Sequence, residues 1–208
     1  MNIRALALSL LILFSAQTAM ATNAPKNDAD KAGAYIESLG HKALDVISKK
    51  DAAKETKQQT LENIFKDNVD FPWVGRFVMG RFWRPATPEQ QTRYLAAYQT
   101  FLIKHYTSRF TEYTSGSFKI TGSSEGEPNE YTVNMQIIAN DASEPPILID
   151  YKVRKDKTSF KVFDIIVEGV SLITTQRSEF SSVLNSKGVD GLTSMLEAKS
   201  VAAVAPAK

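Results

Sequence analysis

The sequence predicts an α+β domain, on two switches in hydrophobic period. Apolar residues recur at helical spacing up to Tyr113, alternate at strand spacing from Phe118 to Val167, and return to helical spacing after Gly169. Helices, a four-strand meander and more helices, with no internal repeat, make one domain of mixed class.

The first helix is expected from Asp28 or Asp30 to Lys50. Ala34, Leu39, Ala43, Val46 and Ile47, with Tyr35 and Ile36 beside them, recur at near-helical spacing, and Lys49-Lys50 suits the C-terminal end of the dipole. Residues 51–54 read as a polar linker, and Glu55–Asn68 as a second helix carrying Leu61, Ile64 and Phe65. Phe71-Pro72 forces a new start, because the residue before proline avoids the helical region. Pro72–Gly80 then reads as a short helix, opened by proline near its first position and closed by glycine. Thr87-Pro88-Glu89-Gln90 is a capping box: the Thr87 hydroxyl can accept from the amide three residues on, and Gln90 can reach back. Tyr94, Tyr98, Phe101, Leu102, His105, Tyr106, Phe110 and Tyr113 follow at three- and four-residue steps, giving a long helix with an aromatic face.

After Gly116 the period becomes two. Phe118 and Ile120 open a short strand. Tyr131, Val133, Met135 and Ile137 form the apolar side of the next, Ile147, Ile149, Tyr151 and Val153 of the third, and Phe163, Ile165 and Val167 of the fourth. The connections are short, polar and turn-rich, so the sheet is expected to be antiparallel with one strongly apolar face. Ser171–Asn185 and Val189–Lys199 read as closing helices separated by Gly188, and residues 200–208 as a disordered tail.

The front of the chain carries an export signal. Arg4 ends a short basic region, Ala5–Phe14 are apolar, and Ala19-Met20-Ala21 supplies small residues for cleavage, so residues 1–21 are expected to be removed. The apolar stretch is far shorter than the roughly 20 residues that span a bilayer. With no cysteine in the chain, a lipid-modified N-terminus and disulfides are excluded. Residues 22–199 are expected to form one exported, unanchored domain held by packing, for which 11 Phe, 7 Tyr and 2 Trp supply bulk. A net charge of +2 with both signs interspersed gives no footprint for nucleic acid, and two histidines without cysteine exclude the usual structural zinc sites.

No residue pattern makes a convincing catalytic centre. His105, on the aromatic helix face, reads first as a structural residue and second as a general base; His41 is weaker still. Asp164 and Glu168 flank Ile166 on the last strand, where an outward polar face is the simpler reading. Ser171 lacks the surroundings of a nucleophile elbow, and no phosphate-cradling glycine loop exists. The conspicuous feature is apolar excess: Phe71, Trp73, Val74, Phe77, Val78, Phe82 and Trp83 fall within thirteen residues. That cluster and the apolar sheet face either consolidate into a solid core or leave a slot. Arg76, Arg81 and Arg84 border the cluster; they are solvated surface unless a pocket opens there, in which case they suit an anionic phosphate.

Long ordered blocks then resemble a known family. Val69-Asp-Phe-Pro-Trp-Val-Gly-Arg-Phe-Val-Met-Gly80, Arg84-Pro-Ala-Thr-Pro-Glu-Gln-Gln91 leading into Tyr94–Phe110, Asp164–Phe180 and Gly188-Val-Asp-Gly-Leu192 are similar to the MlaC, or toluene-tolerance, family over nearly the whole mature chain. The resemblance implies a periplasmic phospholipid carrier rather than an enzyme, with no cofactor and with lipid as cargo. It implies exchange between an outer-membrane lipoprotein–porin complex and an inner-membrane ABC transporter bearing an MCE domain, by a protein taken here as a monomer. It also implies an NTF2-like curved sheet against helices, with acyl chains between them. The lining would be the aromatic cluster from Phe71 to Trp83, Tyr106, Phe110, Val133, Met135, Ile149, Tyr151, Ile165, Val167, Val170 and Ile173. Arg76, Arg81 and Arg84 would stand near the headgroup, and the Phe71–Trp83 segment and the helix start after Gly169 would be the moving walls. An NTF2-like enzyme using His105 or Asp164 as base is the alternative, and a solid-core adaptor a third.

Overall fold

A computed structural model describes residues 27–49, 51–110, 117–139, 145–157 and 159–202, the side chains of 108–110 and 202 excepted. The expected export signal, Tyr113, the side chain of Phe110 and the last tail residues lie outside them.

Helix α1, Asp28–Ser48, starts where Asn27 Oδ1 accepts from the Asp30 amide at 2.8 Å. Helix α2 is Lys54–Asn68. Helix α3, Phe71–Met79, begins one residue earlier than the proline alone suggests, because Asp70 serves as the cap and accepts from the Trp73 amide at 3.1 Å. It runs into a 3-10 turn at Gly80–Phe82. Helix α4, Pro88–Phe110, opens on the expected capping box: the Gln90 amide donates to Thr87 Oγ1 at 3.2 Å, and the Thr87 amide to Gln90 Oε1 at 3.1 Å.

The sheet has five strands rather than four: β1 Ser117–Glu125, β2 Glu130–Ile138, β3 Ile147–Lys155, β4 Phe160–Val167 and β5 Val170–Ser171, antiparallel neighbours in chain order. The missed strand has two residues, too few to show alternation. It exists because Glu168 and Gly169, with φ of 49° and 80°, make a two-residue hairpin turn of the kind that needs both central residues left-handed. Glycine takes that conformation freely, whereas Glu168 is held by its own side chain, whose Oε1 accepts from the Leu148 amide at 2.6 Å.

Helix α5, Leu172–Ala202, is broken at Gly188 into two arms, the second running past the expected end at Lys199. Among the described residues no helix is long and apolar enough to cross a membrane.

Two apolar clusters result. One lies between α1 and a face of the sheet: Ala32 and Ile36 pack with Tyr131, Val133, Met135, Ile149, Val153 and Val162. Gly40 lets α1 approach closely, since a Cβ there would lie 2.5 Å from Cζ of Phe118. The other is helical, built from α3, α4 and α5 around the fully buried Tyr94, Tyr98, Leu192 and Leu196. Val69 touches both clusters and pairs in parallel with Val162, the Asp70 amide donating to the Val162 carbonyl at 2.9 Å, so the helical layer abuts the sheet along β4.

A β-bulge decides how β4 serves both. Val153 pairs with Val162 and Lys152 with Asp164, leaving Phe163 as the extra residue. Simple alternation puts Phe163 beside Ile165 and Val167; the bulge turns it the other way, into the helical cluster. Ile165 stays with the sheet face and pairs with Tyr151.

Candidate functional site

The strand positions expected to line a pocket do share one face. Val133, Tyr151 and Ile165 stand side by side across β2, β3 and β4, with Met135, Ile149 and Val167 in the next row. Val133, Met135 and Ile149 are buried, while Tyr151, Ile165, Ile137 and Ile147 on the same face stay half-buried. Helix α1 packs mainly over β1 and β2 and reaches β4 through Tyr35 on Phe160, and the half-buried Ile137 and Ile147 pair with each other at one end of the β2–β3 ladder. Burial pushes the Tyr151 phenol up to about 12, although its side chain stays only half-buried.

The aromatic cluster sits elsewhere. Phe71, Val74 and Val78 are buried in the helical cluster, with Trp73, Phe77, Phe82, Trp83 and Tyr106 packed against it and Ile173 inside it. The structure therefore does not join these residues and the strand positions into one wall. Val170, on β5, is largely exposed. Trp73 stacks on Phe77 (centroids 5.3 Å apart) and meets the bulged Phe163 edge-on at 4.9 Å.

Arg76, Arg81 and Arg84 are all exposed. Arg76 Nε donates to the carbonyl of Pro72 in its own helix, and Arg81 donates to Asn185 Oδ1 at 2.6 Å and lies over Phe82. The arginines that stack on the Trp73–Phe77 pair were not anticipated. Arg154 lies 4.4 Å from the Trp73 centroid and 4.8 Å from that of Phe163, and Arg177 lies 4.9 Å from that of Phe77. Arg154 alternates with apolar neighbours along its strand, so in sequence it reads as solvated.

Asp164 is not an outward carboxylate. It is buried beside the start of α5, where Oδ2 accepts from Ser171 Oγ at 2.7 Å and Oδ1 from the amides of Ile165 and Ile173 at 2.8 and 3.3 Å. Both oxygens are committed to holding the β4–β5–α5 corner, an arrangement suited to capping rather than to proton abstraction. His105 packs its ring on Phe101 and edge-on against Tyr106.

A cleft of about 500 Å³ opens between α4 and α5, lined by His105, Tyr106, Phe101, Leu172, Gln176 and Phe180 among others. Its polar floor is Gln176, which accepts from Tyr98 Oη and donates to Tyr106 Oη at 3.2 Å. Burial raises the pKa of Tyr98 well above the ordinary phenol range, so it is a neutral donor. Gln176 was legible in principle: it interrupts the apolar stripe Ile173, Phe180, Leu184, and an amide there signals a buried polar contact. No cluster of three metal-ligating side chains converges among the described residues.

The chain is similar to the intermembrane phospholipid transport system binding protein MlaC of Haemophilus influenzae, 26% identical over 133 residues, which are 62% of this chain and 61% of that one. It is similar to the toluene tolerance protein ttg2D of Pseudomonas putida, 23% identical over 131 residues, 62% of this chain and 60% of that one. Each alignment thus spans about three-fifths of the relative's length. A solved structure of the phospholipid-binding protein from Ralstonia solanacearum, in complex with a phospholipid, shares the fold with a TM-score of 0.72 at 24% identity, covering 84% of this chain and 99% of that one. The family model described as MlaC protein matches residues 37–198, from within α1 to the second arm of α5, and the chain belongs to the MlaC family.

Proposed function

We propose that this protein is a periplasmic carrier that holds phospholipid acyl chains against the apolar sheet face and moves the lipid between outer and inner membranes. Its membrane-bound partners on this reading are an outer-membrane lipoprotein–porin complex and an inner-membrane ABC transporter with an MCE domain. The observation that carries the reading is the half-buried apolar face at Tyr151, Ile165, Ile137 and Ile147, in a chain with one relative named for phospholipid transport and a structural neighbour named for phospholipid binding.

The energetics need no chemistry. At about 0.8 kcal/mol per CH₂, withdrawing two long acyl chains from water is worth on the order of 20 kcal/mol, so release into water is closed. Between a bilayer and an apolar hollow the two large terms nearly cancel, and transfer depends on docking and on opening. The opening walls on this reading are α3 with its 3-10 turn and the first turn of α5. Gly80, with positive φ, caps the end of α3, and Gly169, also with positive φ, lies before β5 and the start of α5.

Organic extraction of purified protein followed by mass spectrometry tests the reading, together with uptake of labelled lipid from vesicles. Co-purifying phospholipid and uptake are expected. Disulfide locking of α3 onto its neighbours should stop exchange, and unchanged exchange in the locked protein would refute the gate without touching lipid binding.

A further inference from the structure

We propose that the Tyr151 hydroxyl is the polar anchor of the apolar face, a hydrogen-bond donor to an ester carbonyl oxygen of a bound diacyl lipid. This rests on the carrier reading and assigns a residue-level contact within it.

Tyr151 occupies the middle of the middle strand. Its in-register neighbours on the same face are Val133 and Ile165, and along its own strand Ile149 and Val153, all apolar. A phenol there is conspicuous, because leucine or phenylalanine would give the same bulk without a polar atom to satisfy. The other buried or half-buried tyrosines of the helical layer and of α1 have partners: Tyr35 donates to Asn68, Tyr94 to the Gly75 carbonyl and Tyr98 to Gln176, while Tyr106 accepts from Gln176. Tyr151 has no hydrogen-bond partner among the described residues. No side-chain oxygen among them is both sealed off and unpaired, so Tyr151 Oη keeps accessible surface on the apolar face.

The group is also desolvated: burial alone raises its pKa, with no charge contributing. It is therefore neutral at any physiological pH and has a proton to donate. A phenol donor without a protein partner, set among apolar side chains, suits an acceptor that arrives with a hydrocarbon chain. Two kinds of phospholipid oxygen qualify, those of the ester carbonyls and those of the phosphate. An anionic phosphate would be stripped of water among apolar neighbours with no facing cation, which is costly. The neutral ester carbonyl lies at the head of each acyl chain and enters such a place with its chain. Selectivity follows, because a dialkyl ether lipid of equal length offers no carbonyl and leaves the phenol unpaired.

The test is competition between vesicles of ester-linked and ether-linked phosphatidylcholine with identical chains, for the wild type and for Tyr151→Phe. The wild type should prefer the ester by about 3- to 10-fold, the worth of one hydrogen bond, and Tyr151→Phe should lose the preference as its ester binding falls toward its ether binding. Retention of the full preference by Tyr151→Phe overturns the assignment. So does the absence of any preference in the wild type, a result independent of how the variant folds. A preference for ester and ether lipids over a phosphate-free diacylglycerol, abolished by Tyr151→Phe, overturns it in favour of the phosphate. Wild type that takes up neither lipid overturns the carrier reading itself.

Discussion

The guanidinium of Arg154, on β3, lies 4.4 Å from the centroid of the Trp73 ring on α3. It also stacks on Phe163 and pairs with Glu130 at 2.7 Å and Asp70 at 3.8 Å, so one cation ties the short aromatic helix to three strands. Partly buried cation–π contacts are worth about 1–2 kcal/mol each. Arg154→Ala should therefore lower unfolding free energy by about 2–3 kcal/mol in urea titrations. Arg154→Lys should recover less than half, since an ammonium cannot lie flat on two rings. On the carrier reading, Arg154→Ala should also speed lipid exchange.

Gln176 bridges two phenols across the α4–α5 interface, and Tyr98 is fully buried. Gln176→Leu keeps the volume but deprives the buried Tyr98 hydroxyl of its acceptor. The expected loss is about 1–3 kcal/mol, the cost of one desolvated group left unpaired. Combining it with Tyr98→Phe should cost less than the sum of the two single changes, a coupling read from the double-mutant cycle.

Asp164→Ala releases the Ser171 hydroxyl and the Ile165 and Ile173 amides together, which should destabilise by about 2–3 kcal/mol. Hydrogen exchange should show the loss concentrated at β5 and the first turn of α5. Uniform loss across α5 would contradict the corner role.

Asp28 gives the acid dependence. Hydrogen bonds from Lys155 and then Lys31 hold its carboxyl below the ordinary value of 3.8. The unfolded chain therefore binds this proton first as pH falls, so the stabilisation is present above the ordinary value and disappears as pH drops through the depressed one. The melting-temperature difference between wild type and Asp28→Asn should be constant from about pH 7 to 5 and shrink progressively as pH falls below 3.8. Salt should shrink it, because all three side chains are exposed enough to be screened.

Much of the fold was legible because its signals are local. The Thr87–Gln90 box and the apolar sets of β2 and β3 depend only on nearby residues, and each stands where its pattern puts it. The failures are non-local. Phe163 faces the helices because one extra residue in β4 is absorbed against β3, which alternation within β4 cannot reveal. Asp164 reads as a surface carboxylate until the chain folds Ser171 and Ile173 back onto it. Packing also places the expected lining residues in two clusters, the strand residues with α1 and the rings from Phe71 to Trp83 with α4 and α5, joined at Val69.

All of this converges on whether hydrocarbon fits between the sheet and its helices. Native mass spectrometry of the purified protein, before and after incubation with vesicles, reads that directly. A mass increment equal to a phospholipid, lost on delipidation and regained from vesicles, is the predicted result. A protein that stays at its bare polypeptide mass, whatever lipid is offered, would contradict it.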